Sequence, residues 1–206
     1  MLPFGVMANP RAVVALLLWM LPGFAADSLG QGTEIAGFGG LAFGGALVDP
    51  VTLAGVDVDA GFLFGAAVSG PVSVSWRIEA LFSNEETRTA GPQPGTRIGV
   101  SVQRFLGGIQ EEAPWGHTRA FGTFLIGATR FAPDGASAQT WFTLGLGLGV
   151  KMPLAPRVGL RIEAHVYYTP ITVSGTAACG GGTCLVNYTG WGIFQGDFNA
   201  GLFVRF

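Results

Sequence analysis

Charge is scarce in this sequence: 206 residues contain 11 Lys and Arg, 13 Asp and Glu and 2 His, so charged residues make up only 12%. With a formal net charge of −2 and no basic patch, nothing in the chain suggests a nucleic-acid partner. Long apolar runs are missing too. Hydrophobic residues reach 49% and mean hydropathy is +0.47, yet no run attains the roughly 18–20 residues of a membrane helix. Cysteine occurs twice, at Cys179 and Cys184, without the His or second Cys pair of a zinc site. The glycine-rich run 145–149 lacks the strand–turn–helix setting and the Lys of a phosphate loop, so no nucleotide or other cofactor is expected. What is abundant is Gly, with 34 residues, and Phe, with 16. The hydrophobicity is spread along the chain.

One dense run exists, Ala12 to Leu21, after Arg11 and closed by Pro22-Gly23-Phe24-Ala25-Ala26. That is the layout of a secretory signal peptide over residues 1–26, leaving a domain of residues 27–206. The run is about half the length of a membrane anchor, which is the alternative reading. A start at Met7 instead of Met1 gives a more usual leader. An exported chain meets an oxidising compartment, so Cys179 and Cys184 are expected to pair in a small ring. The intervening glycines give the backbone freedom to close it.

Alternation with a period of two dominates the rest. Val72, Val74, Trp76, Ile78, Ala80 and Phe82 oppose Ser73, Ser75, Arg77, Glu79, Leu81 and Ser83. Phe142, Leu144, Leu146, Leu148, Val150 and Met152 oppose Trp141, Thr143, Gly145, Gly147, Gly149 and Lys151. Val158, Leu160, Ile162, Ala164, Val166 and Tyr168 oppose Gly159, Arg161, Glu163, His165 and Tyr167. A helix would scatter these patterns around its circumference. Further strands are expected at 32–44, 58–68, 97–109, 119–131 and 188–206, with loops at 45–57, 84–95 and 171–187. Ser69-Gly70-Pro71 and residues 153–156 read as short turns, and 110–118 as a connection. In 97–109, Ile98, Val100 and Val102 share a face that would carry Arg104 outward. A bulge or an interfacial position is expected there.

Eight strands joined as neighbours make an all-β, eight-stranded antiparallel up-and-down barrel. Its orientation follows from volume, because an eight-stranded lumen is just wide enough to be filled by side chains. The apolar faces are too bulky to fit inside, whereas the Gly, Ser and Thr faces fit. The apolar faces therefore point outward, to lipid, and the barrel is a transmembrane one. A soluble ligand-binding barrel would invert the two faces. The lumen then collects Arg77, Glu79, Arg161, Glu163, His165, Asp197 and Arg205, and buried charges must pair. A salt-bridged plug is the expected result, with an ion or proton path as the alternative.

The chain closes on Phe198, Ala200, Leu202, Val204 and Phe206 against Asp197, Asn199, Gly201 and Arg205. Asn199, Gly201, Val204 and Phe206 resemble the C-terminal assembly signal of bacterial outer-membrane barrels. Across residues 32–206 the chain resembles the small eight-stranded outer-membrane β-barrels of the OmpA/OmpX-like class, without a periplasmic domain. That resemblance implies an outer-membrane location with periplasmic termini, outer-membrane lipid as the surroundings, and insertion by the barrel assembly machinery. A monomer is expected, and no extracellular partner is specified. Some barrels of this size modify lipid A with a serine nucleophile and a histidine base. His117 falls in the expected periplasmic connection and His165-Val166-Tyr167 lacks the nearby serine of that pattern, so a non-enzymatic structural or surface-interaction role is expected. A narrow passive channel for small solutes is the alternative.

The secretion reading makes a direct prediction. Intact mass of the exported protein should place its N-terminus at Ala26 or Asp27; a chain retaining residues 12–21 would turn the run into an anchor.

Overall fold

A computed structural model describes residues 32–44, 46–48, 55–57, 59–90, 97–135, 137–170, 172–176, 187–189 and 192–206. The expected signal peptide and both cysteines lie outside the described residues. The described chain is all strand and turn. Eight long strands, β1 (Glu34–Phe43), β4 (Gly61–Pro71), β5 (Trp76–Ala90), β6 (Arg97–Trp115), β7 (Thr118–Pro133), β8 (Gln139–Pro153), β9 (Val158–Thr169) and β12 (Ile193–Arg205), form a closed antiparallel barrel in chain order. Two small hairpins, β2 (Ala46–Val48) with β3 (Gly55–Asp57) and β10 (Thr172–Thr176) with β11 (Asn187–Thr189), belong to the β1–β4 and β9–β12 connections.

The first and last barrel strands close the ring, from Glu34 opposite Arg205 to Phe43 opposite Gly196. Sideways from Glu34 the register runs through Ser69, Glu79, Gly108, Leu125, Gly145 and Tyr167 to Gln195. Its neighbour Gly196 pairs with Phe43, so one circuit climbs ten residues along β1. Such a stagger requires strands tilted by roughly 35–45° to the barrel axis.

Connections at the end that holds Glu34 and Arg205 are short. Between β6 and β7 only Gly116 and His117 intervene, with Gly116 at φ 61, the left-handed conformation that two-residue hairpins demand. Between β4 and β5 the turn is Val72–Ser75, closed by Val72 and Ser73 N–H donating to the Trp76 carbonyl at 2.8 and 3.0 Å. This moves the turn expected at Ser69-Gly70-Pro71 by three residues: Pro71, which has no N–H to give, ends β4 opposite Arg77.

Two expected connections are strand instead. Asn84–Ala90 continues β5 and Gln110–Trp115 continues β6. The face expected for β6 is also corrected. Val102, Arg104 and Leu106 point inward and are buried, while Phe105 and Ile109 point outward. No bulge intervenes, since β6 pairs with β5 and β7 without a register shift. An outward Arg104 would stand in the apolar belt, at a cost of ~2–4 kcal/mol if near a bilayer midplane. Facing inward, it meets Glu85.

On the other clear strands the apolar side chains are outside, as their bulk requires. Phe62 is 79% exposed and Leu148 75%, and Phe64, Phe142, Leu146 and Phe194 are exposed as well. Inward glycines explain the Leu-Gly repeat of β8. A Cβ on Gly147 would strike the His165 ring, and one on Gly149 the Phe121 ring. Gly65 likewise clears space for Phe38, and Gly159 for Phe203.

An outward position separates a lipid-facing wall from a wet one. Leu146→Arg should destabilise the barrel by ~2–4 kcal/mol in urea unfolding from lipid vesicles. On a water-facing wall the same exposed substitution would stay within about 0.5 kcal/mol.

Candidate functional site: the charged lumen

The inward faces bring together three ionic groups stacked along the barrel. At the end that holds the termini, Glu34 of β1 is the hub. Its carboxylate meets Lys151 Nζ of β8 at 2.5 Å, Arg205 Nη2 of β12 at 2.6 Å and Arg77 Nη2 of β5 at 3.7 Å. Lys151 also reaches Glu112 of β6 at 2.6 Å, and the half-buried Arg119 of β7 donates to Glu112 at 3.0 Å. Arg77 donates further to Ser69 Oγ at 3.1 Å and to the Gly32 carbonyl at 2.8 Å.

In the second group Arg161 of β9 forms a fork on Glu79 of β5, at 2.6 and 3.0 Å, and a second contact with Glu163 at 2.5 Å. Two-pronged guanidinium–carboxylate pairs are the strongest such contacts and the most directional. The Arg161 guanidinium also lies 4.7 Å from the centroid of the Phe121 ring.

The third group lies toward the far end. His165 Nδ1 donates to Asp197 Oδ1 at 3.0 Å, and Asn199 Nδ2 donates to the same oxygen at 3.1 Å. The His165 ring stacks on Tyr167 at 5.6 Å. Tyr167 in turn carries Arg104 over its face at 4.7 Å, and Arg104 is paired with Glu85 at 2.8 Å. Above them Thr143 links Thr129 and Thr169 by hydroxyl bonds of 2.7 and 2.9 Å.

All seven residues expected in the lumen lie there, with Arg205 half-buried at the rim and the others buried. The network is larger than expected, because Glu34, Glu85, Arg104, Glu112 and Lys151 also belong to it. Their signal was legible: Glu85 continues the parity of Arg77, Glu79 and Ser83, and Glu112 that of Arg104 and Gln110. The lumen is also less polar than expected. Phe38, Leu63, Leu81, Leu106 and Leu125 form one buried apolar cluster with Tyr167.

The chemistry available is pairing. His165 is bonded to a carboxylate, and His117 lies exposed in the β6–β7 turn. Among the described residues no group of three or more His, Cys, Asp and Glu could hold a metal. At the C-terminus Asn199 and Gly201 face inward, while Val204 and Phe206 face outward. The Phe206 N–H donates to the Thr33 carbonyl at 2.9 Å.

No protein-family model matches the sequence, and no curated protein matches it. Solved structures do share the fold. Neisserial surface protein A superposes with a TM-score of 0.59 at 16% identity, covering 88% of this chain and 100% of that one. The outer membrane protein OprG from Pseudomonas aeruginosa gives 0.53 at 17% identity, over 85% and 97%. Ail, the attachment invasion locus protein of Yersinia pestis, solved with the heparin analogue sucrose octasulfate, gives 0.50 at 12% identity, over 85% and 99%. The fold is that of the small eight-stranded outer-membrane barrels.

The Arg104–Glu85 pair tests the inward register of β6. Breaking a buried pair by removing one partner leaves an uncompensated charge and costs about 3–5 kcal/mol, whereas replacing both by apolar groups is close to neutral. Arg104→Met should therefore be far more destabilising in urea unfolding than the double variant Arg104→Met/Glu85→Met. If Arg104 faced outward, Arg104→Met would stabilise the barrel.

Proposed function

We propose that the protein is an integral barrel of the bacterial outer membrane, with periplasmic termini and a structural or surface-interaction role, its lumen closed by its own side chains. The observation that carries this reading is the contrast between the two faces of the wall. Large apolar side chains stand outside, and six buried carboxylates (Glu34, Glu79, Glu85, Glu112, Glu163 and Asp197) stand inside. Buried charges persist only when paired, and each of the six has a basic partner within 3.7 Å. A network this committed to itself favours a plugged, non-enzymatic barrel over an enzyme.

The second reading is a narrow passive channel. It is favoured by buried polar atoms in the upper lumen that have no protein partner among the described residues, including Arg104 Nε, Glu85 Oε1 and Gln195 Oε1. Such atoms call for water.

Expressed with its leader, the protein should fractionate with outer membranes and run differently on a denaturing gel before and after boiling. In a planar bilayer it should show no steady conductance. A stable conductance would replace the plug with the channel, and a soluble periplasmic protein without a gel shift would overturn the membrane reading.

A further inference from the structure

The outer surface of the barrel differs around its circumference. At the extracellular ends of β12, β1 and β4 the exposed residues are aromatic: Phe194, Phe43 and Phe62. On β5 to β8 the register sets a different row. Asn84 lies opposite Gln103, Gln103 opposite Arg130, and Arg130 opposite Thr140, all on the outward parity. Two residues nearer the periplasm, the parallel row is Phe82, Phe105, Ala128 and Phe142, with the first two rings 5.0 Å apart. The wall changes from apolar to polar within one pleat repeat.

The polar row is partly preorganised. Arg130 Nη1 donates to Gln103 Oε1 at 3.0 Å, and Ser101 Oγ donates to Asn84 Oδ1 at 3.1 Å. Arg130 is exposed, and among the described residues no carboxylate pairs with its guanidinium. A guanidinium here costs little, since the penalty for outward charge falls toward zero at the bilayer interface. Its remaining N–H groups form a planar fork that matches a phosphate. The side-chain amide of Gln103 and the hydroxyl of Thr140 are the groups that hydrogen-bond sugar hydroxyls.

We propose that this row is a docking site for the phosphorylated sugar headgroup of a glycolipid in the outer leaflet. The phosphate lies on Arg130, the sugar on Gln103 and Thr140, and the acyl chains on Phe105 and Phe142 below. The proposal rests on the membrane reading. It commits to a lipid because the apolar row lies directly beneath the polar one, an arrangement that suits an amphiphile and not a free anion.

The test uses the folded, leader-processed protein in phosphatidylcholine bicelles, titrated with bisphosphorylated lipid A, with chemically dephosphorylated lipid A and with inorganic phosphate. Retention of bisphosphorylated lipid A is expected, weakened about tenfold by Arg130→Gln, an amount equal to one charge-assisted contact. Thr140→Val should weaken it about threefold, and Leu148→Ala, on the apolar wall of β8, should leave it unchanged. If Arg130→Gln fails to fold, Gln103→Leu carries the same test. Equal retention of dephosphorylated lipid A, or of bisphosphorylated lipid A by the folded row variants, would overturn the site. So would full competition by millimolar inorganic phosphate, or cross-linking through position 130 into dimers that lipid A does not disperse. A wild-type protein that enters bicelles but retains no lipid A sinks this proposal alone, whereas one that does not enter them sinks the membrane reading.

Discussion

A sheet surrounded by lipid cannot have an edge. Lipid offers no hydrogen bonds to a row of unpaired N–H and C=O groups, so only closure makes such a sheet viable. Here closure falls on β1 and β12, paired along the whole length of β1 and extended by the bond from Phe206 N–H to Thr33. The same seam carries the Glu34 carboxylate, which reaches Arg205 on the adjoining strand and Lys151 and Arg77 across the lumen. Closing the backbone and neutralising the charges at the end that holds Glu34 and Arg205 are therefore one event.

Closure with eight strands fixes a narrow interior, and that accounts for the odd composition. Few charged residues are present because few can be matched inside. Glycine is abundant because a large side chain on one strand needs an absent one on the next. His165 lies where Gly147 has no Cβ, Phe121 where Gly149 has none, and Phe203 where Gly159 has none. The leucines that alternate with the glycines of β8 then serve the other face. One repeat thus meets two demands, a lumen with room for its neighbours' rings and an exterior soluble in hydrocarbon. The apolar cluster around Leu81, Leu106 and Leu125 occupies lumen volume that the ion pairs do not.

How much of this was legible follows from where the two faces differ. On β8 and β9 every outward residue is apolar except for Thr140 at the start of β8 and the hydroxyl of Tyr168, and the inward ones are mostly small or charged, so period two is unmistakable. On β6 it is not, because Val102 and Leu106 point inward beside Arg104, and Ser101 and Gln103 point outward. Contrast failed there for a physical reason: the β5–β7 wall rises past the apolar belt, and above it both faces meet polar surroundings. Glu86 and Arg88 outside, with Glu85 and Thr87 inside, read as a loop although they are strand. The partner that orients Arg104 lay in that misread stretch. At the other end Gln110–Trp115 was hidden in the same way, since Gln110 and Glu112 inside and Glu111 outside leave little contrast. Pairing is a property of two strands, and one strand's pattern carries half of it.

The two faces also constrain what the protein can do. A lumen whose carboxylates and cations pair with each other has little chemistry left for a solute, which turns attention to the outer wall. On β12, β1 and β4 that wall is hydrocarbon-like to the ends of the strands, and an aromatic residue at the boundary anchors a barrel without choosing among lipids. On β5 to β8 the boundary is instead set by the register itself, which lines up an amide, a guanidinium and a hydroxyl directly above Phe105 and Phe142. A side chain there that only needed solvation could be any polar residue in any register. An aligned row with Arg130 already oriented by Gln103 pays part of the ordering entropy of recognition before any ligand arrives. Under the docking proposed above, selectivity among lipids resides in that sector of the exterior.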